Sequence, residues 1–259
     1  MNHLKEKILR AATAAQEGHI PAAYSILDIV WVLYDRILGV TPENANDPDR
    51  NRFILSKGHA AVGLYVVLAE KGFISSDLLK DFGKFESPLG GHPDRLKVPG
   101  VEASTGSLGH GFPMAVGLAL GAKIKKKPSR VYVIVGDGEA NEGTIWESAM
   151  LAAHHKLDNL YCILDHNHSG DGAMGPGNMR KKFESFGWHA SSIDGHDQKA
   201  IHAALTQRVL GKPVAVIAET VKGKGIKIME NSPEWTHKYP APEQLETMAQ
   251  ELRAIKDHA

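Results

Sequence analysis

Residues 130–135 form a short apolar, β-branched run that leads into Gly136-Asp137-Gly138-Glu139-Ala140-Asn141-Glu142-Gly143. Downstream, Ile145, Trp146, Ala149, Ala152 and Ala153 recur at helical spacing. The pattern predicts a buried strand, a glycine-rich turn and a helix. A second apolar run, Leu160 to Leu164, ends in Asp165-His166-Asn167. Two such strands joined by one helix imply a parallel crossover, which brings both strand ends to the carboxyl edge of a sheet. Glycines 136 and 138 lack a Cβ, so backbone amides there can approach an anion, with the dipole of the following helix behind them. Asp137 can offer a carboxylate oxygen to Mg²⁺ from what reads as a surface loop, and the Asn167 amide oxygen is a second hard ligand. The turn therefore reads as a site for a divalent cation that holds a diphosphate.

The rest of the chain fits an α/β fold, a parallel sheet with helices on both faces. Helices are expected near 4–16, 25–38, 60–71, 75–82, 111–125, 141–155, 181–186 and 198–210, with strands near 131–135, 160–164, 189–193 and 214–219. A connector and an amphipathic helix follow Pro240 and run to His258. The expected organisation is one domain over residues 1–259, with a core to about 240. Lys plus Arg and Asp plus Glu both number 30, so no global field favours nucleic acid or an anionic membrane. No apolar run reaches the ~20 residues that span a bilayer, and the start lacks a secretory pattern. The lone Cys162 can close no intrachain disulfide. A cytoplasmic protein is expected.

Gly-Asp-Gly, then 28 residues, then Asn is the thiamine diphosphate fingerprint, and segment 147–160 closely resembles the transketolase family. Three more segments resemble that family in the same order. Glu17-Gly18-His19-Ile20-Pro21 is similar to its Ser-Gly-His-Pro-Gly turn with two departures, and Asp49 to Ala60, including Ser56-Lys57-Gly58-His59-Ala60, is similar to its His segment. Gly91-His92-Pro93 with Thr105-Gly106-Ser107-Leu108-Gly109-His110-Gly111 is similar to the loop that touches the cofactor rings, His110 replacing a usual Gln. The resemblance covers roughly residues 5 to 240 and includes Thr220-Val221-Lys222-Gly223-Lys224-Gly225. Near its end, His237 is displaced by one residue from the position of a family His.

The resemblance implies a thiamine diphosphate- and Mg²⁺-dependent enzyme, with Ca²⁺ or Mn²⁺ as substitute cations, that moves a two-carbon ketol unit from a ketose to an aldehyde. It implies that Asp137, Asn167 and the Ser169 carbonyl hold the metal. Gly106, Ser107, Leu108, Gly136, Gly138, Glu139, Asn167 and His59 would hold the cofactor. His19, His59, His92 and His237 would serve catalysis, an imidazole with near-neutral pKa being suited to moving protons among sugar hydroxyls. The loop after Asn167 is one residue shorter than usual, and His168 reads as a rim or turn residue, because Mg²⁺ prefers oxygen. Glu142 reads either as an interface residue or as a helix-start Glu.

In transketolases the Glu that activates the cofactor belongs to a second, pyrimidine-binding domain, which this sequence does not contain. The expectation is a diphosphate-binding subunit completed by a separate C-terminal partner, together forming an α2β2 heterotetramer. Substrates would be sugar phosphates or sugar derivatives, and the departures at His110, His168 to Gly172 and His237 leave room for a sulfonated or branched sugar. Neither nucleic acid nor membrane is an expected partner. Alternatives that share the metal motif are 1-deoxyxylulose-5-phosphate synthase-like and 2-oxo acid dehydrogenase alpha-like proteins. The third alternative is a non-catalytic cofactor-binding or regulatory subunit.

Overall fold

In the computed structural model, which describes residues 1–172, 174–175 and 177–255, five parallel strands form one sheet. They are β1 (Arg52–Leu55), β2 (Val131–Gly136), β3 (Leu160–His166), β4 (His189–Asp194) and β5 (Val214–Glu219), in the order β1-β2-β3-β5-β4. Alternation along β2 and β3 divides the core in two. Tyr132, Ile134, Tyr161 and Ile163 enter one cluster, while Val131, Val133, Val135, Leu160, Cys162 and Leu164 enter the other. Both faces are therefore covered, which is why these strands read as continuous apolar runs.

The first face carries α1 (Asn2–Ala15), α2 (Ile20–Val32), α3 (Ala61–Glu70), α7 (Gln198–Thr206) and α8 (Pro242–Ala254); the second carries α4 (Gly111–Ile124), α5 (Gly143–His154) and α6 (Met179–Ser185). Almost every residue of α2 and α3 is buried, as expected of helices enclosed between the sheet and other helices. α1 is amphipathic and buries Leu4, Ile8, Leu9 and Ala12. α7 starts at Asp197, whose carboxylate accepts the amides of Lys199 and Ala200, satisfying donors that a helix start leaves free.

Several boundaries differ from the sequence reading. β1 is an addition to the expected strands, a four-residue edge strand inside a segment whose Gly58-His59 pair draws attention first. α2 starts at Ile20, five residues early, because Pro21 is tolerated in a first turn, and it continues as a π-helical turn over Leu33–Ile37. Ser76–Asp81 is a 3-10 turn rather than an α-helix, started by the Ser75 side chain. The last helix ends at Ala254; the remainder of the expected stretch, with His258, extends beyond the described residues.

Candidate functional site

The carboxyl ends of β2 and β3 meet as expected. Gly136 pairs with Asp165 in register, and the Asp137 amide donates to the Asp165 carbonyl at 3.1 Å. Two loops cross here: a Cβ on Gly170 would lie 3.1 Å from the Gly138 backbone, so glycine is what lets the turn after β2 and the loop after β3 touch. A cavity of about 340 Å³ opens above them. Around it stand Asp137, Gly138, Glu139, Asn167 and Ser169 from those two loops, His19 and Ala22 at the start of α2, Lys57, His59 and Leu108, and Lys222 with His237 from the C-terminal segment. A larger hollow of about 840 Å³ lies against α4, lined by Arg52, Glu102 and Lys125. It contains none of these groups, and the chemistry of the donors singles out the smaller cavity.

Asp137 is 2% exposed, so the expectation of a surface loop ligand is corrected. Its Oδ1 accepts the Gly138 amide at 2.6 Å, while Oδ2 is buried with no hydrogen-bond partner. Burial, and then the charge of Asp165, raise its pKa above the usual carboxylate range. A buried carboxylate oxygen without a donor is what a hard cation relieves. Asn167, also buried, donates Nδ2 to Asp165 at 2.9 Å and accepts the Ser169 amide on Oδ1 at 3.1 Å. The residues present thus fit a Mg²⁺-class ion.

Below Asn167 lies a buried polar network that the sequence reading did not single out. Lys57 and Asp165 form an ion pair with side chains 2% and 0% exposed. Asp165 also accepts from Ser25 at 2.7 Å and from the Thr220 hydroxyl. Burial alone would raise the Asp165 pKa, but Lys57 and the hydroxyl donors outweigh it and hold it below the usual value. The sequence carries only half of the signal: an Asp at the end of an apolar strand needs a partner if it is buried, but nothing in the sequence names Lys57 as that partner.

The amides of Gly136 and Gly138, expected to face an anion, are engaged by the carboxylates of Glu139 and Asp137. A 3-10 turn, Glu139–Asn141, also separates this loop from α5. The ammonium groups lining the cavity are those of Lys57, which is paired with Asp165, and Lys222. Burial, and then the charge of Lys57, lower the Lys222 pKa. Glu139 is a tie between loops, its carboxylate accepting Ser56 Oγ at 2.5 Å, the Gly109 amide at 2.9 Å and the Gly136 amide at 3.1 Å. Burial is the main cause of its raised pKa.

Three of the four expected catalytic histidines converge. The His19 ring is 5.0 Å from that of His59 and 4.8 Å from that of His237, centroid to centroid. The His19 amide donates to the Thr236 carbonyl at 2.9 Å, and a Cβ on Gly18 would fall 2.6 Å from His237 Cα; glycine permits this contact. The one-residue displacement of His237 does not keep it from the cavity. His19 Nδ1 is buried without a partner. Burial, then the nearby charge of His237, takes the His19 pKa down to about 4; burial and Lys57 take His59 to about 2. Both rings are neutral near pH 7.

His92 is exposed and packs against Gly106, outside the cavity wall. Ser107 and His110 are exposed on the same loop, with His110 Nδ1 3.1 Å from the Leu108 carbonyl. Glu142 is exposed at the start of α5.

A parallel sheet whose carboxyl edge gathers oxygen donors, lysines and imidazoles around one cavity is the arrangement of an α/β protein that binds its ligand at the ends of its strands. The chain belongs to the transketolase family, its residues 3–244 matching the family model described as "Transketolase, thiamine diphosphate binding domain". It is 42% identical over 248 residues to one subunit of the apulose-4-phosphate transketolase of Actinobacillus succinogenes, covering 93% of this chain and 90% of that one. It is 40% identical over 220 residues to the 6-deoxy-6-sulfo-D-fructose transketolase subunit SqwG of a Clostridium species, covering 82% and 80%. Among solved structures, transketolase from Campylobacter jejuni superposes with a TM-score of 0.88 at 33% identity, covering 96% of this chain but 41% of that one. The chain spans about two fifths of such a transketolase.

Proposed function

We propose that this chain is the diphosphate-binding subunit of a split transketolase, dependent on thiamine diphosphate and a divalent cation, Mg²⁺ first and Ca²⁺ or Mn²⁺ as substitutes. The observation that carries the metal assignment is the buried, unpartnered Asp137 Oδ2 beside Asn167. Asp137, Asn167 and the Ser169 carbonyl would hold the cation. Lys57, Lys222 and His59 would face the diphosphate, with Gly136, Gly138 and Glu139 shaping the floor and Gly106, Ser107 and Leu108 the side toward the rings. When bound, thiamine diphosphate supplies the carbon centre that takes a two-carbon ketol unit from a ketose and delivers it to an aldehyde. His19 and His237, joined by His92 from the rim, would bind substrate hydroxyls and carry protons. A neutral imidazole such as His19 can accept a hydroxyl proton and return it.

The partner rests on the relatives. Those covered to 80–90% of their own length are called transketolase subunits, whereas the longer transketolase carries more than half its length outside the match. A separate chain would supply the pyrimidine-side pocket and the activating carboxylate, and two copies of each would form an α2β2 assembly. The relatives' names, apulose-4-phosphate and 6-deoxy-6-sulfo-D-fructose transketolase subunits, point to a sugar bearing an anionic group, a phosphate or a sulfonate. The lone, buried Cys162 suits a cytoplasmic setting, and among the described residues no helix is long and apolar enough to cross a membrane.

The test is ketol transfer by the purified chain with thiamine diphosphate and Mg²⁺, with and without a pyrimidine-binding transketolase partner. Activity is expected only with both chains. Full activity from this chain alone would overturn the split site, and an inert pair that nonetheless assembles would overturn the activity.

A further inference from the structure

The carboxyl edge carries a second cluster, on the other face of the sheet from Asp165. His166 and Glu219 are register partners in β3 and β5, so their side chains project to the same side. Alternation sends Asp165 toward α2, where Ser25 holds it, and His166 the opposite way. The chain then bends at His168, whose φ is 62°, and the His168 ring comes within 4.3 Å of the His166 ring, centroid to centroid. Glu219 Oε2 lies 2.9 Å from His166 Nδ1 and 3.6 Å from His168 Nε2. On its other side, His168 Nδ1 is 3.0 Å from Asp171 Oδ2.

We propose that His166, His168 and Glu219 form a binding site for a divalent cation of the zinc class, with Asp171 orienting His168. The site goes beyond the cofactor site and does not depend on the activity argued above. The donors make the first argument: two imidazoles and one carboxylate suit Zn²⁺ and its neighbours, whereas Mg²⁺ takes oxygen. The spacing makes the second. Donors on a tetrahedral Zn²⁺ with bonds of about 2.0–2.1 Å stand about 3.3 Å apart, and the two separations from Glu219 bracket that value. The third is Asp171. In the tautomer whose Nδ1 proton Asp171 accepts, the Nε2 lone pair is directed at a carboxylate oxygen, an arrangement that a cation between them satisfies; carboxylate–histidine–metal triads are built this way. His168, Asp171 and Glu219 are about half exposed, which gives the ion an entry path and leaves room for water on its remaining positions. The ion would pin the loop after Asn167 to the end of β5.

The competing arrangement is an imidazolium of His168 bridging Asp171 and Glu219 with no metal. The full chain, stripped with a chelator and held in excess Mg²⁺, is titrated with Zn²⁺, and with Co²⁺ as a spectroscopic reporter. One Zn²⁺ per chain is expected, with visible Co²⁺ absorption. His168→Ala and Glu219→Gln should each weaken binding by about 100-fold or more, and Asp171→Asn by about tenfold. A His19→Ala/His237→Ala variant, which removes the other imidazole cluster, should keep the site. Melting curves matched to the parent chain establish that the exposed-site variants fold. Zn²⁺ binding that is absent, that disappears with His19 and His237, or that survives His168→Ala and Glu219→Gln unchanged would overturn the assignment.

Discussion

Lys57 and Asp165 form an ion pair in which both side chains are almost fully removed from solvent, and Asp165 also accepts the side-chain amide of Asn167. The pair thus joins the loop after β1 to the end of β3 directly under the candidate metal donors. Its partners Ser25 and Thr220 add the start of α2 and the end of β5, so four segments share one carboxylate.

Removing one member strands the other charge in the core. Lys57→Met or Asp165→Leu should lower stability by about 3–5 kcal/mol, and the double substitution should be less damaging than the sum of the two. Urea unfolding of the three variants measures this. Single-variant losses below about 1 kcal/mol would show that the pair is solvated.

Stability should fall with acid through the histidine cluster. Unfolded histidines take up protons near pH 6.5, whereas His19 in the fold resists to about 4 and His59 to about 2. Below pH 6.5 the unfolded state therefore binds more protons, and stability declines as pH drops from 6.5 toward 4, by up to about 1.4 kcal/mol per unit for each ring and less for the half-buried His19. Denaturant unfolding at pH 7.5 and 5 gives the slope, which His19→Gln and His59→Gln should reduce. An unchanged slope in both variants would contradict the shifted values.

How far the sequence reveals this site depends on the signal each residue carries. Asp137 and Asn167 are legible because a strand, a glycine turn and a fixed interval announce them, and His19 and His59 because a glycine precedes each. The ion pair is hidden, since Lys57 and Asp165 are 108 positions apart and only the parallel pairing of β1, β2 and β3 brings them together. β1 escapes notice because four residues are too few to establish alternation. The burial of Asp137 is hidden for a related reason: a turn is exposed by default, and here the crossing of Gly138 and Gly170 covers it.

The histidines of the cavity should matter for turnover rather than folding. With its Nδ1 unpartnered, His19 donates and accepts little that holds the fold, and the His237 ring meets it edge-on. In the assembled enzyme, His19→Ala and His237→Ala should lower kcat by about 100-fold or more while Tm stays within a few degrees. Lost Tm with retained specific activity would make them structural.

If Asp137 holds the cation that in turn holds the cofactor, thiamine diphosphate binding should require both the cation and that carboxylate. Calorimetric titration of thiamine diphosphate into the chain tests it in three conditions: with Mg²⁺, with a chelator, and with Mg²⁺ and Asp137→Ala. Binding at one site per chain is expected with Mg²⁺ and should be lost in the other two, while the variant should unfold within a few degrees of the parent chain, because losing the Gly138 amide bond to Oδ1 is offset by removing the buried, unpartnered Oδ2. Equal affinity in all three conditions would contradict the account.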